Sequence, residues 1–525
     1  MKLNFCRVMR GLVRRFGEAE ALVNVERGRR LTYREYHLLT NRIANALRGE
    51  LGIGQGDRFM LILENDNLSL LHMPMFLKQE GTAVLTNMRD SLEEHRRQIE
   101  FVGPKLVILE NRLLGSHLPM LRELGCVVVA VDAASDLPAG VLCLPDLIAR
   151  ASDEDNDVAL DQTGHTAMMR FTGGTTGKGK CAMYTPDKIM ACRDSFFIHT
   201  ELGWDAQTRA LHVAPLSHGA AMLFYPTLFS GGTSVTMNAL DLGAWIDTVE
   251  RERISHSFLV PTALYRLLEL QNAAPRNLTS LRTLLYGAAP MSPAKLKDLL
   301  DCFGPIFVQS YAATEAAMIV SLLGKADHRT DSAEAIDRLA STGRTTPGVE
   351  VFIADEQGNE LPAGKTGEIR IRCRAVVQGY YGNPEQTVAE FDQDCWHSGD
   401  LGFIDAEGYL HLVDRLKDMI ISGGFNVYAI EVEAALAEHP AVLMSAVVGR
   451  PHPEWGEAVH GEVVLREGLE ASEQDLIDHV KARLGSYKAP KTITFAASLP
   501  LSPVGKVLRR EVSERYWAQS ARSIN

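Results

Sequence analysis

The chain has 525 residues with a formal net charge of −12, 46% hydrophobic and 23% charged residues. Such a balance describes a globular protein long enough for more than one domain, and the negative charge excludes a basic nucleic-acid footprint. Its eight cysteines are scattered with no Cys-x-x-Cys, which argues against a zinc site or a disulfide framework and for a reducing, cytoplasmic setting.

The basic N-terminus (Lys2, Arg7, Arg10, Arg14, Arg15) lacks a continuous apolar core and a small-residue cleavage site, so it reads as a first helix and not as a targeting peptide. The longest apolar runs, such as 126–131, are too short to cross a bilayer. Thr32 with Glu35 three residues on predicts a capped helix through Ile43, Ala44 and Leu47. From Phe59 to Leu63 a short buried strand is expected, followed by others at 106–109, 127–129, 211–214, 257–260 and 281–285. Helix-length intervals separate these runs, which predicts βαβ units and a largely parallel α/β sheet.

Two strand ends point to a cleft. One is 281–286 running into Gly287-Ala288-Ala289, with Ser292 and Pro293 opening a helix over 294–303. The other is 306–310 running into Tyr311-Ala312-Ala313-Thr314-Glu315. Open α/β sheets place ligands beyond such strand ends. From about residue 345 short β-like runs with Gly/Asp turns predict a mainly β subdomain. Past Arg415 about a hundred residues form a small unit, a common domain size. It ends in the loop Leu499-Pro500-Leu501-Ser502-Pro503-Val504-Gly505-Lys506.

The most informative stretch is Phe171-Thr172-Gly173-Gly174-Thr175-Thr176-Gly177-Lys178-Gly179-Lys180, with four glycines, three threonines and two lysines. Glycine lets backbone N–H groups approach an anion, threonine adds hydroxyl donors and lysine adds charge, so the stretch suits phosphate. A plain surface loop is the bland alternative. A P-loop is the sharper one, since 174–180 fits G-x-x-x-x-G-K, but Cys181 stands where that motif needs Ser or Thr for Mg²⁺.

This loop, Tyr311 to Glu315, Trp396-His397-Ser398-Gly399-Asp400, Asp414-Arg415-Leu416-Lys417-Asp418 leading into Ser422-Gly423-Gly424, and Gly505-Lys506 occur in one order. Together they resemble the adenylate-forming superfamily of acyl-CoA synthetases, adenylation domains and luciferases, over nearly the whole chain. The resemblance implies a large N-terminal domain (1–415) and a small mobile C-terminal domain (416–525), with ATP between them. It further implies that Thr172, Gly173, Gly174, Thr175, Thr176, Gly177 and Lys180 cradle the β- and γ-phosphates. Glu315 would hold Mg²⁺ and Thr314 touch the α-phosphate or the metal. Tyr311 would stack on adenine against Gly287, Ala288 and Ala289, while Asp400 and Arg415 take the ribose. Lys506 would be the catalytic lysine, Lys417 the hinge, and Ser422, Gly423 and Gly424 the wall of the CoA tunnel. His218 lines the acyl pocket or is a plain loop histidine; Gly219, Ala312 and Ala313 are the other pocket candidates.

Departures from the family pattern are Gly179 for proline, Cys181 for glycine, Ala312 for glycine and Ala429 for proline. None removes a charged catalytic group. The five tryptophans lie away in sequence from the stretches around His218, Gly287 and Tyr311, which are rich in small residues. The expected substrate is therefore an apolar acid larger than acetate: a medium- or long-chain fatty, aryl or alicyclic acid, used with ATP, Mg²⁺ and CoA. The alternatives are an acyl-AMP ligase loading a separate carrier protein and a nucleotide-binding regulator without catalysis. A homodimer is an assembly the sequence leaves open.

Overall fold

The computed structural model describes residues 1–72, 74–172, 180–289, 291–316, 319–392, 395–422, 425–453, 455–502 and 507–522, with the backbone alone at 220 and 518–522. Two mostly parallel sheets form the large part of the chain. The first has seven strands in the order Lys180–Tyr184, Met168–Thr172, Thr82–Leu85, Arg58–Ile62, Leu106–Leu109, Val127–Ala130, Leu142–Cys143. Only its edge pair, Met168–Thr172 with Lys180–Tyr184, is antiparallel. The second has nine strands and a parallel centre that includes Phe307–Tyr311, Thr283–Gly287, His256–Leu259 and Arg209–His212.

These strands are apolar on both faces because helices and the facing sheet cover them, as parallel sheets require. One core runs between the two sheets. It joins Phe59, Leu61, Leu85 and Met168 of the first to Leu22, Leu285 and Val308 of the second. The helix Tyr33–Gly49 lies against this core through Tyr33, Tyr36, Ile43 and Leu47. Its start is the expected capping box: Thr32 accepts from Glu35 N, and Glu35 accepts from Thr32 N at 2.8 Å. Such a cap contributes about 1 kcal/mol.

A five-stranded antiparallel sheet follows, built from Glu350–Ala354, Gly367–Arg372, Phe391–Asp392, Cys395–Ile404 and Leu410–Arg415. A last five-stranded sheet, with helices Ala429–Ala437 and Glu473–Leu484 on it, has its own core around Val432, Val447, Val459, Val463 and Leu476. Among the described residues no helix is long and apolar enough to cross a membrane.

Small differences from the sequence expectation have local causes. The strand expected at 281–285 is Thr283–Gly287, because Leu281 closes a turn on Leu278. The following helix is Pro293–Phe303 with Ser292 at its N-cap, but the Ser292 side chain makes no capping bond. Its backbone N–H is held instead by the Tyr265 hydroxyl at 3.0 Å.

Candidate active site

Three sheets meet where the sequence motifs converge. Tyr311 ends Phe307–Tyr311 of the nine-stranded sheet and is 8% exposed. Its hydroxyl donates to Asp400 Oδ2 at 2.7 Å, and Arg415 Nε lies 3.2 Å from Asp400 Oδ1. Asp400 and Arg415 are direct partners in the antiparallel ladder of the third sheet, which fixes their side chains on one face. Gly399, at φ +66°, makes the turn that aims Asp400, whose N–H is held by Ser398 Oγ at 3.0 Å. Burial, reinforced by the Asp400 charge, raises the Tyr311 phenol well above its ordinary range.

Beside Tyr311, Gly287 pairs with Ser310 so closely that a Cβ there would sit 2.5 Å from the Ser310 carbonyl oxygen. Only glycine fits. Ala288 follows in the left-handed region at φ +64°, an uncommon conformation for a residue with a Cβ. The backbone of 287–289 thus forms a thin wall next to Tyr311. Ala312 and Ala313 are half-buried, and Ala313 packs with Tyr311, Ala316 and Trp396. Trp396, although far from these stretches in sequence, joins the same apolar cluster as Tyr311 and Ala316.

Thr172 and Lys180 flank the Gly/Thr/Lys loop as paired residues of an antiparallel ladder; 173–179 lie outside the described residues. Lys180 does not face open solvent as a free phosphate ligand would. Its ammonium pairs with Glu390 and lies 5.2 Å from the centre of the Tyr380 ring. The Tyr380 hydroxyl sits 2.9 Å from Glu315 Oε1 and 2.5 Å from Glu390 Oε2. A chain Lys180–Glu390–Tyr380–Glu315 therefore links the loop to the carboxylate that follows Tyr311. Sequence reading missed both Tyr380 and Glu390, and no local pattern marks either. Glu315 is buried, and that burial raises its carboxyl above the usual range. Thr314 accepts at its carbonyl from the Tyr184 hydroxyl at 2.5 Å.

Hard oxygen donors suit Mg²⁺, so Glu315 beside Thr314 has the right chemistry for it. A separate carboxylate cluster, Glu64, Asp66 and Glu110, already holds Arg27, at 2.5 Å from Asp66 and 3.6 Å from Glu110.

His218 precedes a short turn of 3₁₀ helix, half-buried, with Nδ1 3.0 Å from Ser217 Oγ; Gly219 is exposed. Burial lowers the imidazole to about 4, so it is neutral at pH 7. Lys417, two residues after Arg415, is exposed, and desolvation followed by the Arg415 charge lowers its ammonium. Asp414, next to Arg415, accepts from Ala429 N at 2.5 Å and caps the helix Ala429–Ala437 from across the chain. Arg509 reaches Asp414 at 3.4 Å and Asp418 at 3.7 Å, and also pairs with Glu433. Ser422 is buried at the end of Ile420–Ser422, while Gly423, Gly424 and Lys506 lie outside the described residues.

Two family models match this chain: the AMP-binding enzyme model over residues 10–381 and the AMP-binding enzyme C-terminal domain model over 431–506. The chain belongs to the AMP-binding, adenylate-forming enzyme family. It is 37% identical over 497 residues to a feruloyl-CoA synthase of Amycolatopsis sp, covering 93% of this chain and 94% of that one. It is 38% identical over 363 residues to the medium/long-chain-fatty-acid–CoA ligase FadD8 of Mycobacterium tuberculosis, spanning 68% of this chain and 62% of that relative. The ATP-bound crystal structure of MatB from Rhodopseudomonas palustris superposes with a TM-score of 0.86 at 26% identity, covering 98% of this chain and 99% of that one. The enzyme is an AMP-forming acid–thiol ligase of the acyl-CoA synthetase type, and its α/β fold is that of adenylate-forming enzymes.

Proposed function

We propose that this ligase activates an acid with an apolar body larger than acetate as its acyl-adenylate and transfers the acyl group to CoA. In the first step a carboxylate oxygen bonds to the α-phosphorus of ATP and pyrophosphate leaves. In the second the thiol sulfur bonds to the acyl carbon, its proton is lost, and AMP leaves. Both steps bring anions or developing anions together, so the protein must supply positioning and positive charge. The observation that carries this reading is the Tyr311–Asp400–Arg415 chain beside the Gly287 wall. It joins a flat aromatic ring to a carboxylate acceptor, the pair a purine and its ribose require.

In this reading Tyr311 faces adenine, with 287–289 opposite, and Asp400 and Arg415 take the ribose hydroxyls. Thr172, Lys180 and the loop 173–177 hold the β- and γ-phosphates, which requires Lys180 to leave Glu390 for phosphate. Glu315, with Thr314, would hold Mg²⁺, which when bound neutralises phosphate charge. Lys506 stabilises charge on the carboxylate and α-phosphate. His218, Gly219, Ala312 and Ala313 line the acyl pocket. The division at 415/416, with Lys417 as hinge and Ser422, Gly423 and Gly424 along the thiol path, completes it.

Pyrophosphate release measured with acetate, octanoate and benzoate, with and without CoA, tests the reading. We expect release with octanoate or benzoate, little with acetate, and a thioester when CoA is present. Glu315→Gln and Lys506→Ala are expected to lower adenylation by about 10²-fold or more. Acyl-AMP without thioester in the presence of CoA would move the acceptor to a carrier protein. Acetate turned over as well as octanoate would contradict the large pocket.

A further inference from the structure

Arg170 lies two residues before Thr172 on the strand Met168–Thr172, so its side chain leaves the same face of the sheet. It is 8% exposed, and its Nε and Nη2 are buried without a hydrogen-bond partner. Among the described residues no carboxylate forms an ion pair with it. A guanidinium cannot shed its proton to escape this burial. The Tyr184 ring, 5.7 Å from Arg170 Cζ, is the aromatic face nearest the charge. A cation–π contact returns only part of the cost of an unpaired buried cation.

The histidines beside it are neutral, among aromatic rings. His72, wholly buried, has neither ring nitrogen bonded, and its ring packs against Phe224 at 5.0 Å and Tyr225 at 5.5 Å. Burial, then the Arg170 charge, keeps both His72 and His218 unprotonated, so neither adds a competing charge. Cys192 and Tyr225 also feel the Arg170 charge, as Tyr184 does. Tyr184, which stands next to the guanidinium, bonds the Thr314 carbonyl at 2.5 Å, so the patch is one side chain away from the nucleotide rim. A wall meant for a plain alkyl chain has no use for these donors.

We propose that Arg170 is a specificity-determining residue of the acyl pocket, whose guanidinium receives an oxygen acceptor carried by the acid away from its reacting carboxylate. The substrate class is then an acid with an apolar body that bears such an oxygen, a ring hydroxyl or a second carboxylate, with a His72 ring N–H as a further donor. This rests on the ligase reading above and names its substrate more narrowly.

The test compares kcat/KM for pyrophosphate release on two matched pairs, cinnamate with 4-hydroxycinnamate and octanoate with suberate, in the wild type, Arg170→Met and Arg170→Lys. We expect the wild type to prefer the oxygen-bearing member of one pair by about tenfold or more, the worth of one charge-assisted hydrogen bond. Which pair shows it separates a hydroxyl from a carboxylate. Arg170→Met should bring that ratio close to one, the loss falling mainly on the oxygen-bearing acid, and Arg170→Lys should keep part of it. The Arg170→Met protein without ligand should unfold at the same temperature as the wild type or a higher one. An unchanged ratio in Arg170→Met, or an equal fall on both members of each pair, would overturn the proposal. Should no acid release pyrophosphate, the ligase reading fails, and acid-induced shifts in unfolding temperature without ATP decide on Arg170 alone. A shift with an oxygen-bearing acid that Arg170→Met abolishes supports it; equal shifts, or none, overturn it.

Discussion

Two buried cations in the N-terminal part of this enzyme are treated in opposite ways. Lys78 is fully enclosed and is met by four acceptors from the single helix Tyr33–Gly49: His37 Nδ1 at 2.9 Å, His37 O at 3.1 Å, Thr40 Oγ1 at 2.8 Å and Asn41 Oδ1 at 2.7 Å. Behind them Asp155 takes the other face of His37 at 2.9 Å. Arg170, almost as deeply buried, has Nε and Nη2 without any partner. The cost of burying charge is of one kind at both places. At Lys78 four acceptors of the fold offset part of it, so that group holds a helix in place; at Arg170, among the described residues, only the Tyr184 ring faces the charge, next to the proposed acyl site.

Substituting each cation by methionine separates the two cases most strongly. Lys78→Met strands the His37, Thr40 and Asn41 acceptors, each worth about 1 kcal/mol or more when left unmet, so a loss of roughly 3 kcal/mol is expected in urea unfolding. Arg170→Met should be neutral or stabilising by about 1–4 kcal/mol. Equal losses would erase the distinction.

Stability against pH sharpens it next. Burial lowers Lys78 to about 7 from its ordinary value of 10.5. Between these values the unfolded chain binds more protons than the folded one, so the Lys78 contribution to stability rises with pH from about 7 to 10.5 and is flat below. The slope is at most about 1.4 kcal/mol per pH unit. Lys78→Met should remove this rise, whereas Arg170→Met should keep it; a rise that survives in Lys78→Met would assign it elsewhere.

A smaller effect is expected at Tyr380, which ties Glu315 to the Glu390–Lys180 pair. Tyr380→Phe removes that tie, and the apparent KM for ATP should rise by about tenfold, one hydrogen bond to a charged group. Acid selectivity should not follow. The smallest effect belongs to the helix that carries the Lys78 acceptors: Thr32→Ala should cost about 1 kcal/mol through its lost cap. Any change in the acid ratio there would couple the two regions that the comparison keeps apart.

Sequence reading reached what is local or carried by a motif. The Thr32–Glu35 capping box was legible because both partners sit within one turn. The Tyr311, Asp400 and Arg415 group was legible because each lies in a short motif, although only the fold shows them bonded. Strands were found as apolar runs, but 281–285 was placed two residues early because apolar character continues into the preceding turn. Glu390 and Arg170 left no such trace. Lys180 and Glu390 are 210 residues apart, and nothing in a helix ending Glu390 distinguishes that carboxylate from a solvated one. Arg170 sits among apolar neighbours on a buried strand, where a charge is unexpected, yet only the structure shows that its Nε and Nη2 have no hydrogen-bond partner among the described residues.

The central claim, an AMP-forming ligase, is tested most directly by the products of one turnover. The full-length enzyme is mixed with ATP, Mg²⁺, CoA and 4-hydroxycinnamate or octanoate, quenched, and analysed by mass spectrometry. The account predicts AMP and pyrophosphate in equal amounts, with a matching amount of acyl-CoA. ADP with phosphate in their place, or AMP formed without any acid present, would contradict it.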